Sequence, residues 1–288
     1  MKQLTIISGK GGTGKTSITA AFASLSFPSA VFADCDVDAA DLHLLLQPSI
    51  ESEQNFSGMK IANIDSNRCT DCKKCYGSCA FDAIDQEIVL HKESCEGCGV
   101  CAYVCPVDAI NMIDRDSGRI YQSNTRFGML SHAQLNTAEE ASGKLVTMVR
   151  EQAISLSEKH QKEFIIIDGP PGIGCPVISS ISGVDLVLIV TEPTLSALHD
   201  LERIQRVAAH FNIPAVVCIN KYTINPENTK KIEAYCQTHQ IEVVGKIPYD
   251  KSVTDALIEE KTIIEYDSSE VKKSVVTLWN NVLRRLKQ

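Results

Sequence analysis

The chain has 288 residues, 28 Lys and Arg against 36 Asp and Glu, a formal charge of −8, and 44% hydrophobic and 22% charged residues. Such a composition belongs to a globular chain with length for a large core. The acidic balance excludes nucleic-acid binding through a basic surface, which needs excess cations to displace phosphate counterions. No apolar run approaches the ~18–20 residues of a membrane-spanning helix, and cysteines clustered rather than spread as in a secreted disulfide scaffold lead us to expect a cytoplasmic protein.

Residues 4–8 predict a buried strand that runs into a glycine loop, a pattern unlike that of a signal peptide. A helix is expected over Lys15–Ser26, then a strand over 30–33 that ends in acidic residues. From about residue 59 to 118 the alternation breaks and the chain becomes cysteine-rich, with short hairpin-like pieces near 88–90. Regular alternation then resumes. Runs of Val and Ile at 164–167, 186–190, 215–219 and 242–244 read as buried parallel strands. Helical stretches fall between or after them at 144–159, 196–211, 226–240 and 271–286. Repetition of this kind predicts an α/β fold with a doubly wound, mostly parallel sheet. We read one nucleotide-type domain, residues 1–58 and 119–288, split by a small inserted α+β domain at 59–118.

Eight of the 12 cysteines lie between Cys69 and Cys105. Clustering of this kind reads as metal ligation, because a disulfide scaffold spreads its cysteines over a shorter secreted chain. The cluster is a duplication: Cys69, Cys72, Cys75 and Cys79 are repeated by Cys95, Cys98, Cys101 and Cys105, and Cys-Ala-Phe-Asp-Ala-Ile84 is echoed by Cys-Pro-Val-Asp-Ala-Ile110. Each half has the C-x2-C-x2-C-x3-C spacing of bacterial two-cluster ferredoxins, in which the fourth cysteine serves the other cluster. One [4Fe–4S] cluster is therefore assigned to Cys69, Cys72, Cys75 and Cys105, and a second to Cys95, Cys98, Cys101 and Cys79. Zinc is the competing reading, but paired C-x2-C knuckles would leave the third cysteine of each half surplus. The halves differ in that Ala80 stands where Pro106 follows the last cysteine.

Gly9-Lys10-Gly11-Gly12-Thr13-Gly14-Lys15-Thr16-Ser17 follows a strand and opens a helix, the context of a P-loop. Its backbone N–H groups and the helix N-terminus suit phosphate. Lys15 is expected on the β- and γ-phosphates and the Thr16 hydroxyl on Mg²⁺. Lys10 is an additional cation; the plain alternative for it is a solvated surface lysine.

Lys10-Gly-Gly-Thr-Gly-Lys15-Thr16 resembles the deviant Walker A motif of the MinD/ParA/Mrp/nitrogenase-iron-protein superfamily, the SIMIBI-type P-loop NTPases. With the eight cysteines, the chain resembles members of that superfamily carrying an inserted ferredoxin domain. The resemblance implies an ATPase that forms an ATP-dependent homodimer, in which Lys10 reaches the partner subunit's phosphates. It implies that Asp36, in Asp34-Cys-Asp36, orients the attacking water, and that Asp168, in Asp168-Gly-Pro-Pro-Gly172, holds Mg²⁺ through water. It also places Pro248 and Asp250 beside the adenine pocket. Asn220-Lys221-Tyr222-Thr223 lacks the Asp with which GTP-binding relatives meet guanine, whereas Asn220 suits adenine N6 and N7, so ATP and ADP are the expected nucleotides.

Four features carry no firm chemistry. Cys175 matches a cluster-ligating position of the nitrogenase iron protein, but its companion cysteine is missing, and a buried inert thiol is expected. The helix at 271–286 has an apolar stripe of Val271, Val275, Leu278, Val282 and Leu286. The stripe fits core packing better than the membrane contact made by MinD's last helix. Residues Gly128–Leu135 and 142–146 receive no role, and His132 is expected to be packed or hydrogen-bonded. Three functions fit: ATP-driven electron donation through the clusters to a redox partner, ATP-dependent assembly or delivery of clusters to a client protein, and MinD-like spatial organisation with redox-sensing clusters. Neither nucleic acid nor membrane is an expected partner.

Overall fold

The structure, a computed structural model, describes residues 1–137, 139, 142–266 and 269–288, with the backbone alone of Ser269. In chain order the strands are β1 (Lys2–Ser8), β2 (Ala30–Asp34), β3 (Ser49–Phe56), β4 (Lys60–Ile64), β5 (Ile110–Asp114), β6 (Gly118–Thr125), β7 (Gly128–Leu135), β8 (Phe164–Pro171), β9 (Leu186–Thr191), β10 (Ala215–Asn220) and β11 (Glu242–Ile247). The α-helices are α1 (Lys15–Ser26), α2 (Leu42–Leu46), α3 (Lys74–Ser78), α4 (Val100–Tyr103), α5 (Gly143–Lys159), α6 (Cys175–Ile181), α7 (Ala197–His210), α8 (Pro226–Thr238), α9 (Ser252–Ile258) and α10 (Ser269–Leu286). The chain divides into two compact units, one of Met1–Gln54, Ile120–Gln134 and Ala141–Gln288, the other of Asn55–Arg119 and Leu135–Glu140.

The large sheet runs β11-β10-β9-β1-β8-β2-β7-β6-β3. β1 pairs in parallel with β8 and β9, β10 with β9 and β11, and β2 with β8 and β7. These inner strands read as Ile and Val runs because helices cover both of their faces. On one face, α1 and α10 share a core with Leu4, Ile166, Leu188, Val216 and Val244. Helix α5 packs on β2, β8 and α6. From β1 the chain first builds toward β2 and later, in the other direction, toward β9, β10 and β11. The carboxyl end of β1 is thus the reversal point at which such sheets bind ligands.

Three strands of the large sheet have no counterpart in the sequence reading. β3, Ser-Ile-Glu-Ser-Glu-Gln-Asn-Phe, is exposed at every position before Phe56 and ends the sheet order, so it lacks the apolar run that marks a buried strand. β6 and β7 are joined by Arg126-Phe127 as a hairpin, which extends the sheet beyond β2. Gly128–Leu135 is thus a sheet strand, and 142–146 begins α5, where Ser142 Oγ accepts the Leu145 N–H at 3.3 Å. In α10, Val271, Val275, Leu278, Val282 and Leu286 are each no more than 2% exposed, so the stripe is spent on the core. Among the described residues no helix is long and apolar enough to cross a membrane.

His132, on β7, is hydrogen bonded through Nε2 to Ser123 Oγ at 2.9 Å and lies against Tyr121. Burial, with a smaller push from His43, lowers its pKa to about 4. An unfolded histidine titrates near 6.5, so the native state binds fewer protons, and stability falls as pH drops through the unfolded value and levels below about 4. Between pH 7 and pH 5 the wild type should lose about 2 kcal/mol more than His132→Gln. Anaerobic urea unfolding at the two pH values measures this, and equal losses would refute it.

In the second unit, β4 and β5 pair antiparallel, Ile61 opposite Ile113 and Ile64 opposite Ile110. The short helices α3 and α4 each carry the third cysteine of a repeat, Cys75 and Cys101. The core is small: Ile61, Ala62, Ala83, Ile84 and Ile110, with Cys75 and Cys95 buried among them. Sulfur replaces hydrocarbon at its centre, as suits a unit too small to be held by apolar burial alone.

Candidate functional site

The phosphate loop leaves β1 at Ser8, whose Oγ donates to Lys10 O at 2.7 Å. It closes at Gly14, which has φ 94° and would bring a Cβ within 2.4 Å of Asn220 Nδ2; left-handed backbone and close approach together demand glycine there. Two residues from the end of β10 grip the loop. Asn220 Nδ2 donates to Thr13 O at 2.8 Å and Lys221 Nζ to Gly12 O at 2.9 Å. Asn220 Oδ1 meanwhile accepts the Lys221 N–H at 2.9 Å. Asn220 therefore braces the loop. Gly12, Gly14, Ser17, Asn220 and Lys221 line a cavity of about 210 Å³ whose far wall is Ile247, Val253 and Leu257. Pro248 and Asp250 do not line it. Asp250 Oδ1 accepts the Ser252 N–H at 2.8 Å at the start of α9. Gly9 and Gly11 complete the loop, Gly11 on its exposed side.

Beneath the loop sit three carboxylates and one ammonium. Lys15 is buried, with Nζ 3.7 Å from Asp36 Oδ2. Asp168, inside β8 and fully buried, accepts the Thr19 hydroxyl on Oδ1 at 3.0 Å. Burial pushes its pKa up to about 6 against the pull of hydrogen bonds from Thr16 and Thr19 and the charge of Lys15. Asp36 is raised by burial and lowered in part by Lys15. The sequence reading passed over Asp34, which lies opposite Asp168 across the β2–β8 pair. Its oxygens accept the N–H groups of Asp36 at 3.2 Å and Leu42 at 3.3 Å, fastening both ends of the loop that carries Asp36. Burial first, then Asp168 and Asp36, raises its pKa well above the carboxylate range. The i, i+2 spacing of Asp34 and Asp36 was the available signal. Among the described residues, Asp168 Oδ2 and Thr13 Oγ1 are buried without a hydrogen-bond partner. An orphaned carboxylate oxygen among three acids facing one ammonium fits a divalent cation, and Thr16 and Asp168 are the residues that would hold Mg²⁺.

Eight cysteines of the second unit sort into two hollows. Cys69, Cys72, Cys75 and Cys105 line one, and Cys79, Cys95, Cys98 and Cys101 line the other. The crossing arises because each short cysteine helix ends before its fourth cysteine, which the chain then carries to the neighbouring half. Backbone N–H groups point at sulfur: Asp71 to Cys69 at 3.4 Å, Ala83 to Cys79 at 3.3 Å and Ala109 to Cys105 at 3.3 Å. The duplication extends to the backbone, with positive φ at Asp71 and Gly97, Lys73 and Gly99, and Asp82 and Asp108. At Gly97 a Cβ would fall 2.2 Å from Lys60 O. Four thiols around each hollow, with N–H groups aimed at sulfur, suit an iron–sulfur cluster in donor chemistry.

Cys175, expected to be buried, is exposed at the first position of α6, because the loop through Gly172 and Gly174 carries it outward from β8. Glu192, just after β9, was also missed; its carboxylate contacts Lys10 and Lys221.

Comparison with known proteins agrees with this geometry. The family model for the CobQ/CobB/MinD/ParA nucleotide binding domain matches residues 4–263. An uncharacterized protein of Methanocaldococcus jannaschii is 34% identical over 282 residues, covering 97% of this chain and 96% of that protein. An iron-sulfur cluster carrier protein of Pyrococcus horikoshii is 26% identical over 158 residues, 51% of this chain and 54% of its own. In structure the chain is similar to the Pyrococcus furiosus cell division ATPase MinD, with a TM-score of 0.60 at 20% identity over 98% of both chains. Strand order, phosphate loop and family match lead to one assignment: the chain belongs to the CobQ/CobB/MinD/ParA nucleotide-binding family and is a P-loop ATPase of the MinD/ParA type.

Proposed function

We propose that this ATPase couples its nucleotide cycle to one-electron chemistry in the cysteine-rich unit and passes electrons to a partner protein. The observation that carries this reading is the sorting of eight cysteines into two crossed sets of four in the same chain as a phosphate cradle. Lys15 binds the β- and γ-phosphates, and Thr16 and Asp168 hold the Mg²⁺ site. Asp36 orients a water whose oxygen attacks the γ-phosphorus as the bond to the β–γ bridging oxygen breaks, leaving ADP and phosphate. Lys10 serves the partner subunit's phosphates in an ATP-dependent homodimer. When bound, two [4Fe–4S] clusters supply one-electron storage at potentials set by charge, hydrogen bonds to sulfur and exposure. The N–H groups of Asp71, Ala83 and Ala109 are the chain's own contribution to those potentials.

Chain order supports coupling. The polypeptide enters the second unit at Asn55, soon after the Asp36 loop and α2. Segments that sense the γ-phosphate rearrange when it leaves. If ATP alters charge or exposure around the thiolates it shifts their potential, and reduction must change ATP affinity by the same free energy. Coupling of about 1–3 kcal/mol corresponds to roughly 40–130 mV for one electron. Redox titration of Asp36→Ala with no nucleotide, with ADP and with ATP should show a shift in that range. Coincident potentials with equal ATP affinity in both redox states would overturn the coupling. Resemblance to a cluster carrier favours delivery as the second reading. Iron retained through many ATP turnovers beside an apo-ferredoxin acceptor supports electron donation, and iron passed to that acceptor supports delivery.

A further inference from the structure

Glu192 serves two cations at the rim of the phosphate loop. Its Oε1 lies 2.8 Å from Lys10 Nζ and its Oε2 3.0 Å from Lys221 Nζ. Lys221 also donates to Gly12 O at 2.9 Å and sits in left-handed backbone at φ 55°, so its position is held from several sides. Lys10 is held less firmly, with 39% of its side chain exposed against 14% for Glu192. Burial pushes the Glu192 carboxyl up, but hydrogen bonds and charge from Lys10 and Lys221 outweigh it, so the group is ionised at neutral pH. Three ammonium groups thus lie at the loop, of which Lys15 faces Asp36 while Lys10 and Lys221 share one carboxylate.

We propose that Glu192 is a positioning residue for the ATPase reaction: it holds Lys10 on its own subunit until a phosphate replaces the carboxylate, and it keeps Lys221 against the Gly12 carbonyl. The inference rests on the reading that Lys10 serves a phosphate across a dimer. For that, Nζ of Lys10 must leave Oε1 of Glu192, because one ammonium on one side chain cannot serve both places. Lys221 stays, tied to Gly12 O and to the other carboxylate oxygen. Glu192 therefore opposes self-association while preserving the loop that binds nucleotide. A half-exposed ion pair is worth about 0.2–1 kcal/mol, so its release is worth about 1.4- to fivefold per subunit in the dimer equilibrium.

Glu192→Gln keeps the shape and removes the charge. In nucleotide-free protein, acylation of Lys10 by acetic anhydride, followed by peptide mass spectrometry, should speed up several-fold in the variant, with Lys2 as an internal standard. The ATP concentration at the midpoint of self-association, read by sedimentation on the Asp36→Ala background, should fall about 1.4- to fivefold. Glu192→Asp, one methylene shorter but still charged, should lie between the two and guards against a folding defect. Unchanged Lys10 acylation, or a midpoint that stays or rises, overturns the positioning role. The underlying reading fails separately, if Lys10→Ala hydrolyses ATP at the parental rate.

Discussion

Lys10→Ala should still bind ATP and yet lose about 10³–10⁵ of its turnover, the worth of a cation supplied in trans to a transferring phosphoryl group. Binding survives because the cradle does not depend on this side chain. The grip on the loop comes from Asn220 on Thr13 O and Lys221 on Gly12 O, and Lys15 lies beside Asp36. The loss is large because charge develops on the γ-phosphate oxygens only in the transition state, so a cation that meets it there changes rate more than affinity. Steady-state kinetics with equilibrium nucleotide binding separates the two effects. A mixture of Lys10→Ala with a hydrolysis-deficient Asp36→Ala subunit sharpens the test. The mixed dimer pairs an intact Asp36 site with a partner that has Lys10, so activity should reappear. No recovery on mixing, beside a full loss in each variant alone, would place Lys10 in its own subunit's site. Parental turnover in Lys10→Ala would return it to the role of a solvated surface lysine.

Anaerobically prepared protein should contain about eight irons per chain, and Cys72→Ser and Cys98→Ser should each lose about half. These two cysteines are exposed, whereas Cys75 and Cys95 are buried in the small core of the second unit, where substitution would confound ligand loss with packing loss. The crossed arrangement makes a stronger demand on pairs of substitutions. Cys72→Ser with Cys105→Ser removes two ligands from one hollow and should spare about four irons. Cys72→Ser with Cys79→Ser damages both hollows and should leave almost none. Equal iron in the two double variants would refute the crossing, and stoichiometric zinc without visible absorbance would end the iron–sulfur reading. Reduced wild type should also show interacting paramagnetic signals that disappear in each single variant.

Sequence alone determined those features whose chemistry is local. A phosphate loop is a run of consecutive residues between a strand and a helix, so its glycines, Lys15 and Thr16 can be read without tertiary contacts. The cysteines at i, i+3 and i+6 and their duplication are legible for the same reason, as spacings within short runs of sequence. The buried Val and Ile runs revealed the parallel sheet because both of their faces must be apolar. What tertiary structure decided depends on groups far apart in the chain. β3 is polar and exposed, so only its place beside β6 makes it a strand. The hydrogen bond from Asn220 to Thr13 O joins groups more than 200 residues apart, and no motif announces it. Glu192 belongs to no motif and matters because β9 ends beside β1. An apolar stripe such as that of α10 is the same for a membrane and for a core, and it was the packing of Val271 to Leu286 that chose between them. Local geometry is written in spacing, whereas the partners of a charged or amide group are set by strand order, which no short window of sequence contains.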